Sequence, residues 1–166
     1  MRGAIIHSID SWLGRIEIAV VGEHLVYVGI GLGGAASFLG RVRLRDSASA
    51  FDRVLIEEAE AQLTEYLHGE RRVFTLPLKF LGTFFQTKVW LKTMEIPYGE
   101  TRSYSWVAGE IGSNSPRPVG GALAANHLMI IVPCHRVVGA HGKLGGFSAG
   151  MSVKKRLLEH EARYSC

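Results

Sequence analysis

Thiols are nearly absent from this chain: Cys134 and Cys166 are the only two in 166 residues, and Cys166 is the last residue. No disulfide framework can be built from them, and a reducing compartment fits best. Long apolar runs are lacking too. None approaches the eighteen residues of a membrane span, and the N-terminus does not show the basic and apolar regions of a secretory signal in the right order. The sequence therefore predicts a soluble cytoplasmic protein, with a prokaryotic cell assumed, and no membrane partner.

What is present suffices for an ordinary core, since 47% of the residues are hydrophobic,. The net charge of +4 is modest but uneven. Residues 1–83 hold nine Lys and Arg against ten Asp and Glu, a net −1, whereas residues 84–166 hold ten against five, a net +5. The second half is the one whose charge suits a phosphate backbone.

Three segments with apolar alternation open the chain, Ala4 to Asp10, Arg15 to Val21 and His24 to Ile30, and predict a three-stranded antiparallel meander,. The glycines at 29, 31, 33 and 34 and then Arg41, Arg43 and Arg45 predict an exposed, mobile loop whose function stays open,. From Phe51 to His68 the residues Phe51, Val54, Leu55, Ala59, Leu63, Tyr66 and Leu67 recur at helical spacing, and Gly69 follows where a helix stop belongs,. That helix should pack on the sheet.

Residues 77–83, around Pro77 and Gly82, read as a linker between an N-terminal domain (1–76) and a C-terminal one (84–166). Beyond it, Phe84 to Glu95 and Tyr104 to Ile111 read as helices, and Ser115 as the N-cap of a third helix with Pro116 at its first position, running to about Ala125,. A short helix, a tight turn and a second helix suggest a helix-turn-helix. A buried apolar run, Ile130-Ile131-Val132, is stopped by Pro133 just before Cys134-His135-Arg136. Five glycines between 139 and 150 predict a loop, and Met151 to about Ala162 a last helix with Lys154, Lys155 and Arg156 on its solvent side.

A thiol attacks as thiolate, which needs a nearby base or cation. His135 and Arg136 adjoin Cys134, but adjacency in sequence does not make side chains meet, and a lone intracellular cysteine is more often a small buried hydrophobe. The surrounding segment tips the balance. Pro133-Cys134-His135-Arg136, flanked by Ile130-Ile131-Val132 and Val137-Val138, resembles the active-site signature of the O6-alkylguanine-DNA alkyltransferases. The resemblance runs from Phe85 to about Glu161. It includes Pro97-Tyr98-Gly99-Glu100, Ser103-Tyr104, Arg117-Pro118-Val119-Gly120-Gly121, Asn126, Gly146-Phe147-Ser148 and Leu157-Leu158-Glu159-His160-Glu161. The first half matches only in its plan of a small sheet with a helix.

The resemblance implies an α+β protein. A small N-terminal antiparallel sheet with a helix is followed by a mostly helical domain with a helix-turn-helix, winged-helix-like DNA-binding unit. It also implies direct, single-turnover transfer of an alkyl group from O6-alkylguanine in double-stranded DNA to Cys134, without a cofactor, after the base is flipped. His135 would relay the proton through water to or from Glu161, Asn126 would brace the active-site turn, and Tyr104 would help rotate the 3′ phosphate and donate to the guanine ring. Arg117 would fill the space left in the duplex, with Gly120 and Ala124 letting its helix lie close to the DNA backbone. Val137, Phe147, Ser148 and Met129 would line the base pocket.

Some positions depart from the family pattern. Phe147 stands where some relatives have Tyr, Met129 where some have Pro, and Pro118 directly follows Arg117. Some relatives bind zinc in the N-terminal domain, but His7, His24 and His68 without a cysteine are not a structural zinc set, so no metal is expected,. A monomer in the free state is expected, with cooperative assembly on DNA left open. Two other readings stand beside the transferase: an alkyltransferase-like protein that binds lesions without repairing them, and a Cys-His-acid hydrolase.

Overall fold

A computed structural model describes residues 3–40 and 43–165. The chain divides into two units, Met1–Leu81 and Gly82–Cys166. Among the described residues no helix is long and apolar enough to cross a membrane.

In the first unit the three alternating segments form strands β1 (Ala4–Ser11), β2 (Gly14–Val21) and β3 (His24–Ile30), paired antiparallel in that order. Because side chains alternate across a strand, the register Ile5↔Val20 and Ile9↔Ile16 puts one apolar set on one face, and Ala4↔Val21 and Ile6↔Ala19 puts another on the opposite face,. Helix α2 (Ala50–Leu67) covers the first face, with His7 bonded to Glu60 at 2.8 Å. It begins with a capping box between Ser49 and Asp52,. It ends in a Schellman motif, Gly69 N–H donating to Tyr66 O and Glu70 N–H to Glu65 O, for which Gly69 adopts φ +78°,. Of the residues expected on its buried face, Leu55, Ala59, Leu63, Tyr66 and Leu67 are buried, but Phe51 and Val54 are each 68% exposed. The inner stripe runs instead through Asp52, Ile56 and Gln62.

The expected glycine-rich loop is corrected. Gly33 and Gly40, both at positive φ, bracket a helix α1 (Gly34–Leu39), whose Ala35 and Leu39 pack with Ala4, Ala19 and Val26 on the second face of the sheet. Arg41 lies outside the described residues, as does Cys166. Arg43 and Arg45 flank Leu44, which bridges Ala4: Ala4 N–H donates to Arg43 O and Arg45 N–H to Ala4 O. Arg45 also pairs with the buried Asp52 carboxylate. At the other edge, within the segment expected to be linker, Pro77 O and Lys79 N–H bond the backbone of Leu25. These flanking pieces satisfy edge groups that an open sheet would leave free.

The second unit begins with α3 (Phe84–Thr93), capped by Thr83 and Gln86. Its fully buried Trp90 donates to Ala122 O at 2.8 Å and meets the edge of His127. Helices α4 (Tyr104–Glu110) and α5 (Arg117–Ala124) follow, joined by a turn through Gly112 at φ +75°. Pro116 is the N-cap of α5 and Arg117 its first residue, one position later than expected, while Ser115 Oγ accepts from Arg117 N–H. Ile130-Ile131-Val132 is buried but is not a strand. It forms a tight turn in which Ile130 takes φ +73° and Val132 N–H donates to Leu128 O. Short strands β4 (Arg102–Ser103) and β5 (Val137–Val138) pair in parallel, and α6 (Met151–Tyr164) closes the unit.

Candidate functional site

The turn after α5 sets the position of Cys134. Asn126 Nδ2–H donates to Val132 O and to Cys134 Sγ, both at 3.1 Å, and Asn126 Oδ1 accepts from Leu128 N–H. One side chain thus ties both ends of the turn together and fixes the sulfur. Ile130 in the left-handed region is strained for a β-branched residue, at a cost of order 1–3 kcal/mol. Cys134 itself opens a single 3₁₀ turn, Cys134–Arg136, and is only 5% exposed.

Behind the sulfur lies a buried ionic cluster. His135 Nε2 and Glu161 Oε1 are 2.7 Å apart, although 26 residues separate them, because α6 brings Glu161 against the 3₁₀ turn. Arg136 holds the same carboxylate through Nε at 2.9 Å and Nη2 at 2.8 Å, donates from Nη1 to Ile96 O, and lies over the Tyr98 ring. Gly99 N–H adds a further bond to Glu161 Oε2. Burial of Glu161 opposes its charge, but the hydrogen bonds from His135 and Arg136, together with the Arg136 charge, outweigh burial and hold its carboxyl well below the usual range,. Burial lowers His135, against the raising influence of Glu161. Burial likewise pushes the Cys134 thiol above its ordinary range, with the Asn126 bond and the Lys154 charge pulling it back. Full burial thus disfavours both thiolate and imidazolium, because it penalises the charged form of each,.

Lys154 is the buried charge next to the site that sequence reasoning missed. It was expected on the solvent side of α6 with Lys155 and Arg156, yet it is 0% exposed. Its Nζ donates to Val137 O at 2.7 Å and to Gly146 O at 3.2 Å, and lies 3.5 Å from Tyr104 Oη. Burial brings its pKa down to about 8. The signal was present in the helical period: Lys154, Leu157 and Glu161 stand at i, i+3 and i+7 and share a face, whereas three consecutive residues cannot.

Cys134 opens into a cavity of about 710 Å³, a size suited to a small organic ligand,. Tyr104, Arg117, Gly120, Ala124, Phe147 and Ser148 line it with Cys134. Tyr104, the first residue of α4, donates to Gly146 O at 3.4 Å. Gly145 at φ +71° passes so close that a Cβ there would lie 2.6 Å from Tyr104 Oη. Arg117 is exposed at the start of α5. The structure does not bring every expected residue to the cavity wall. Val137 and Met129 are buried elsewhere, Val137 serving through its carbonyl as the acceptor for Lys154, while Ser103, Ser105, Leu123, Ala140 and Gly146 are wall residues that the sequence did not single out. Asn126 supports the sulfur, while His135 and Glu161 are paired in the interior next to it in the chain.

A buried, braced thiol at the wall of a cavity beside an exposed two-helix unit defines a protein that uses cysteine on a ligand delivered to that cavity. Residues 84–163 match the family model for the 6-O-methylguanine DNA methyltransferase, DNA binding domain. The chain is 43% identical to the inducible methylated-DNA–protein-cysteine methyltransferase of Bacillus subtilis over 126 residues, which span 75% of this chain and 70% of that protein. A crystal structure of the Mycobacterium tuberculosis O6-methylguanine methyltransferase superposes with TM-score 0.83 at 37% identity, covering 97% of this chain and 94% of that one. A structure of Mycobacterium tuberculosis OGT in complex with DNA gives 0.84 at 38% identity, covering 96% and 94%. The chain belongs to the methylated-DNA–protein-cysteine methyltransferase family.

Proposed function

We propose that this protein repairs DNA directly by moving an alkyl group from O6 of a damaged guanine onto Cys134. The observation that carries the reading is the placement of Cys134 Sγ, held by Asn126 at the wall of a cavity large enough for an alkylated base, with His135 and Glu161 hydrogen-bonded behind it. A stacked guanine cannot present O6 to a buried sulfur, so the nucleotide is rotated out of the duplex, at a cost of a few kcal/mol. Arg117, exposed at the mouth of the cavity, fills the gap left in the stack. On α5, Gly121 and Ala124 are exposed and a Cβ at Gly120 or Gly121 would touch nothing, so the DNA backbone can approach this helix closely.

In the chemical step Sγ attacks the alkyl carbon, the new S–C bond forms as C–O6 breaks, and the electron pair leaves on guanine. The thiol proton is taken by His135, directly or across a water, and guanine leaves protonated, so protons balance overall. Removing that proton in step with attack answers the cost of forming a buried thiolate. The Tyr104 hydroxyl, with the Lys154 ammonium 3.5 Å behind it, is placed to donate to the departing ring. The protein is a monomer when free and acts on double-stranded DNA, in the cytoplasm of a prokaryotic cell.

A thioether is a poor leaving group, and among the described residues the cavity has no second thiol to regenerate Cys134, so each molecule acts once. Incubation with excess alkylated duplex followed by intact-mass analysis should plateau at about one alkyl group per protein, mapped to Cys134. Sustained turnover without an adduct would instead indicate a hydrolase, and tight binding without an adduct a lesion-binding protein.

Arg117→Ala should slow repair of duplex substrate by roughly tenfold or more while leaving reaction with free O6-benzylguanine within about twofold, because only duplex substrate requires a flipped base. Equal losses on both substrates would assign Arg117 to the pocket or the fold.

A further inference from the structure

We infer that Arg136 is a positioning residue for the transfer reaction: by gripping the Glu161 carboxylate it keeps His135 as a neutral imidazole with its proton on Nε2 and a bare Nδ1 available to accept the thiol proton. The inference rests on the transfer reading above and adds to it a residue that does not touch the reacting atoms.

Glu161 is fully buried and receives His135 Nε2, three contacts from the Arg136 guanidinium and Gly99 N–H. An ionised carboxylate can only accept, so the imidazole nitrogen facing it at 2.7 Å is the donor, which fixes the Nε2–H tautomer,. The other nitrogen, Nδ1, is buried and has no hydrogen-bond partner among the described residues. The carboxylate favours a second proton on the ring, burial of the ring opposes it, and the Arg136 charge adds to that opposition,. That permanent charge is spent on Glu161 through the parallel fork geometry that suits carboxylates, so the pair presents little net charge to His135. The other charge near His135 is the Lys154 ammonium from α6, which also opposes imidazolium. The guanidinium is itself immobilised by Ile96 O and the Tyr98 ring, so the grip does not depend on substrate. A lysine could supply the charge at this position but not the fork.

Two measurements test this. In the wild-type protein, nitrogen NMR of His135 at pH 7 should show a neutral ring protonated at Nε2, and an imidazolium or the Nδ1–H tautomer would overturn the inference. In the second, the rate of Cys134 alkylation by free O6-benzylguanine is followed against pH for wild type, Arg136→Gln and Arg136→Lys. Removing the cation should move the acidic limb of Arg136→Gln upward by about one unit or more, because His135 then keeps its proton more strongly. Arg136→Lys should react more slowly with its limb unmoved. Limbs that coincide in all three proteins, or a limb displaced upward in Arg136→Lys, would reject the role. If Arg136→Gln does not fold, the rate of Arg136→Lys decides: slower transfer with an unmoved limb supports the role of the fork, and a rate equal to that of wild type overturns it. A wild-type protein that forms no adduct on Cys134 defeats the transfer reading instead, and the two failures are thereby distinguishable.

Discussion

Cys134→Ser is expected to abolish alkyl transfer while leaving duplex binding within about a factor of two of wild type. The oxygen variant keeps the size of the side chain and can still accept from Asn126 Nδ2–H, so the turn from Leu128 to Pro133 should survive. A hydroxyl stays protonated near neutral pH and attacks an alkyl carbon poorly, particularly where burial already disfavours the anion. Binding is expected to rest on other groups: Arg117, Lys143, Lys155, Arg156 and Arg163 are exposed in the second unit, and phosphate contacts from such groups should make affinity fall steeply with salt,. Arg136 and Lys154 are buried and do not contribute to that slope, although both count toward the net +5 of this half. Adduct mass and duplex affinity at two salt concentrations, for both proteins, provide the check. A serine variant that still became alkylated in the same cavity would sink the nucleophile assignment, and one that lost binding altogether would make Cys134 a packing residue.

Glu161→Gln is the second variant with a large expected effect, because it strikes both stability and reaction. It leaves the Arg136 guanidinium buried without its counter-charge, and breaking one side of such a pair costs about 3–5 kcal/mol. It also places an amide N–H among donors from His135, Arg136 and Gly99, so the imidazole loses its anchor and transfer to free O6-benzylguanine should slow by about tenfold or more. The pH dependence has a definite sign. Since the folded carboxyl lies well below the usual range, its stabilisation is fully present above the unfolded value of about 4.3 and is lost as pH falls toward the lowered folded value,. Wild type should therefore lose stability on acidification between about pH 5 and pH 2, and the variant should lose less over that interval. Urea unfolding of both proteins at pH 7 and pH 4 measures this; equal stabilities at pH 7 would show that the ion pair contributes nothing.

Much of the site was legible before the structure was known. Pro133-Cys134-His135-Arg136 and the blocks around it drew attention to Cys134, His135 and Glu161, which the fold gathers in one region, and the Ser115-Pro116 signal found the start of α5 to within one residue. What escaped shares a cause. Lys154 counts as polar in any pattern of apolar residues, so its place on the inner face with Leu157 and Glu161 was hidden by its charge. Helix α1 was masked by the glycines that bracket it, although Ala35 and Leu39 stand at i and i+4, and only the sheet they cover makes them buried. Arg136 had no partner visible from its neighbours in the chain, because Glu161 and Ile96 reach it from 25 residues later and 40 earlier.

The sequence alone determined the local terms: alternation for the three strands, the glycine that stops α2, the proline that stops the apolar run, and the motif that singles out Cys134. These depend on backbone preferences and short-range spacing, which act within a few residues of each position. The tertiary structure decided which charges are buried and what they meet. The pairing of His135 with Glu161, the grip of Arg136, the inward turn of Lys154 and the wall of the cavity all depend on how α6 is rotated against the 3₁₀ turn. That rotation is set by the packing of Leu157 and its neighbours in a close-packed core,. Burial then fixes the protonation states, because the cost of charge in a low-dielectric interior depends on the groups enclosed together and not on their order along the chain.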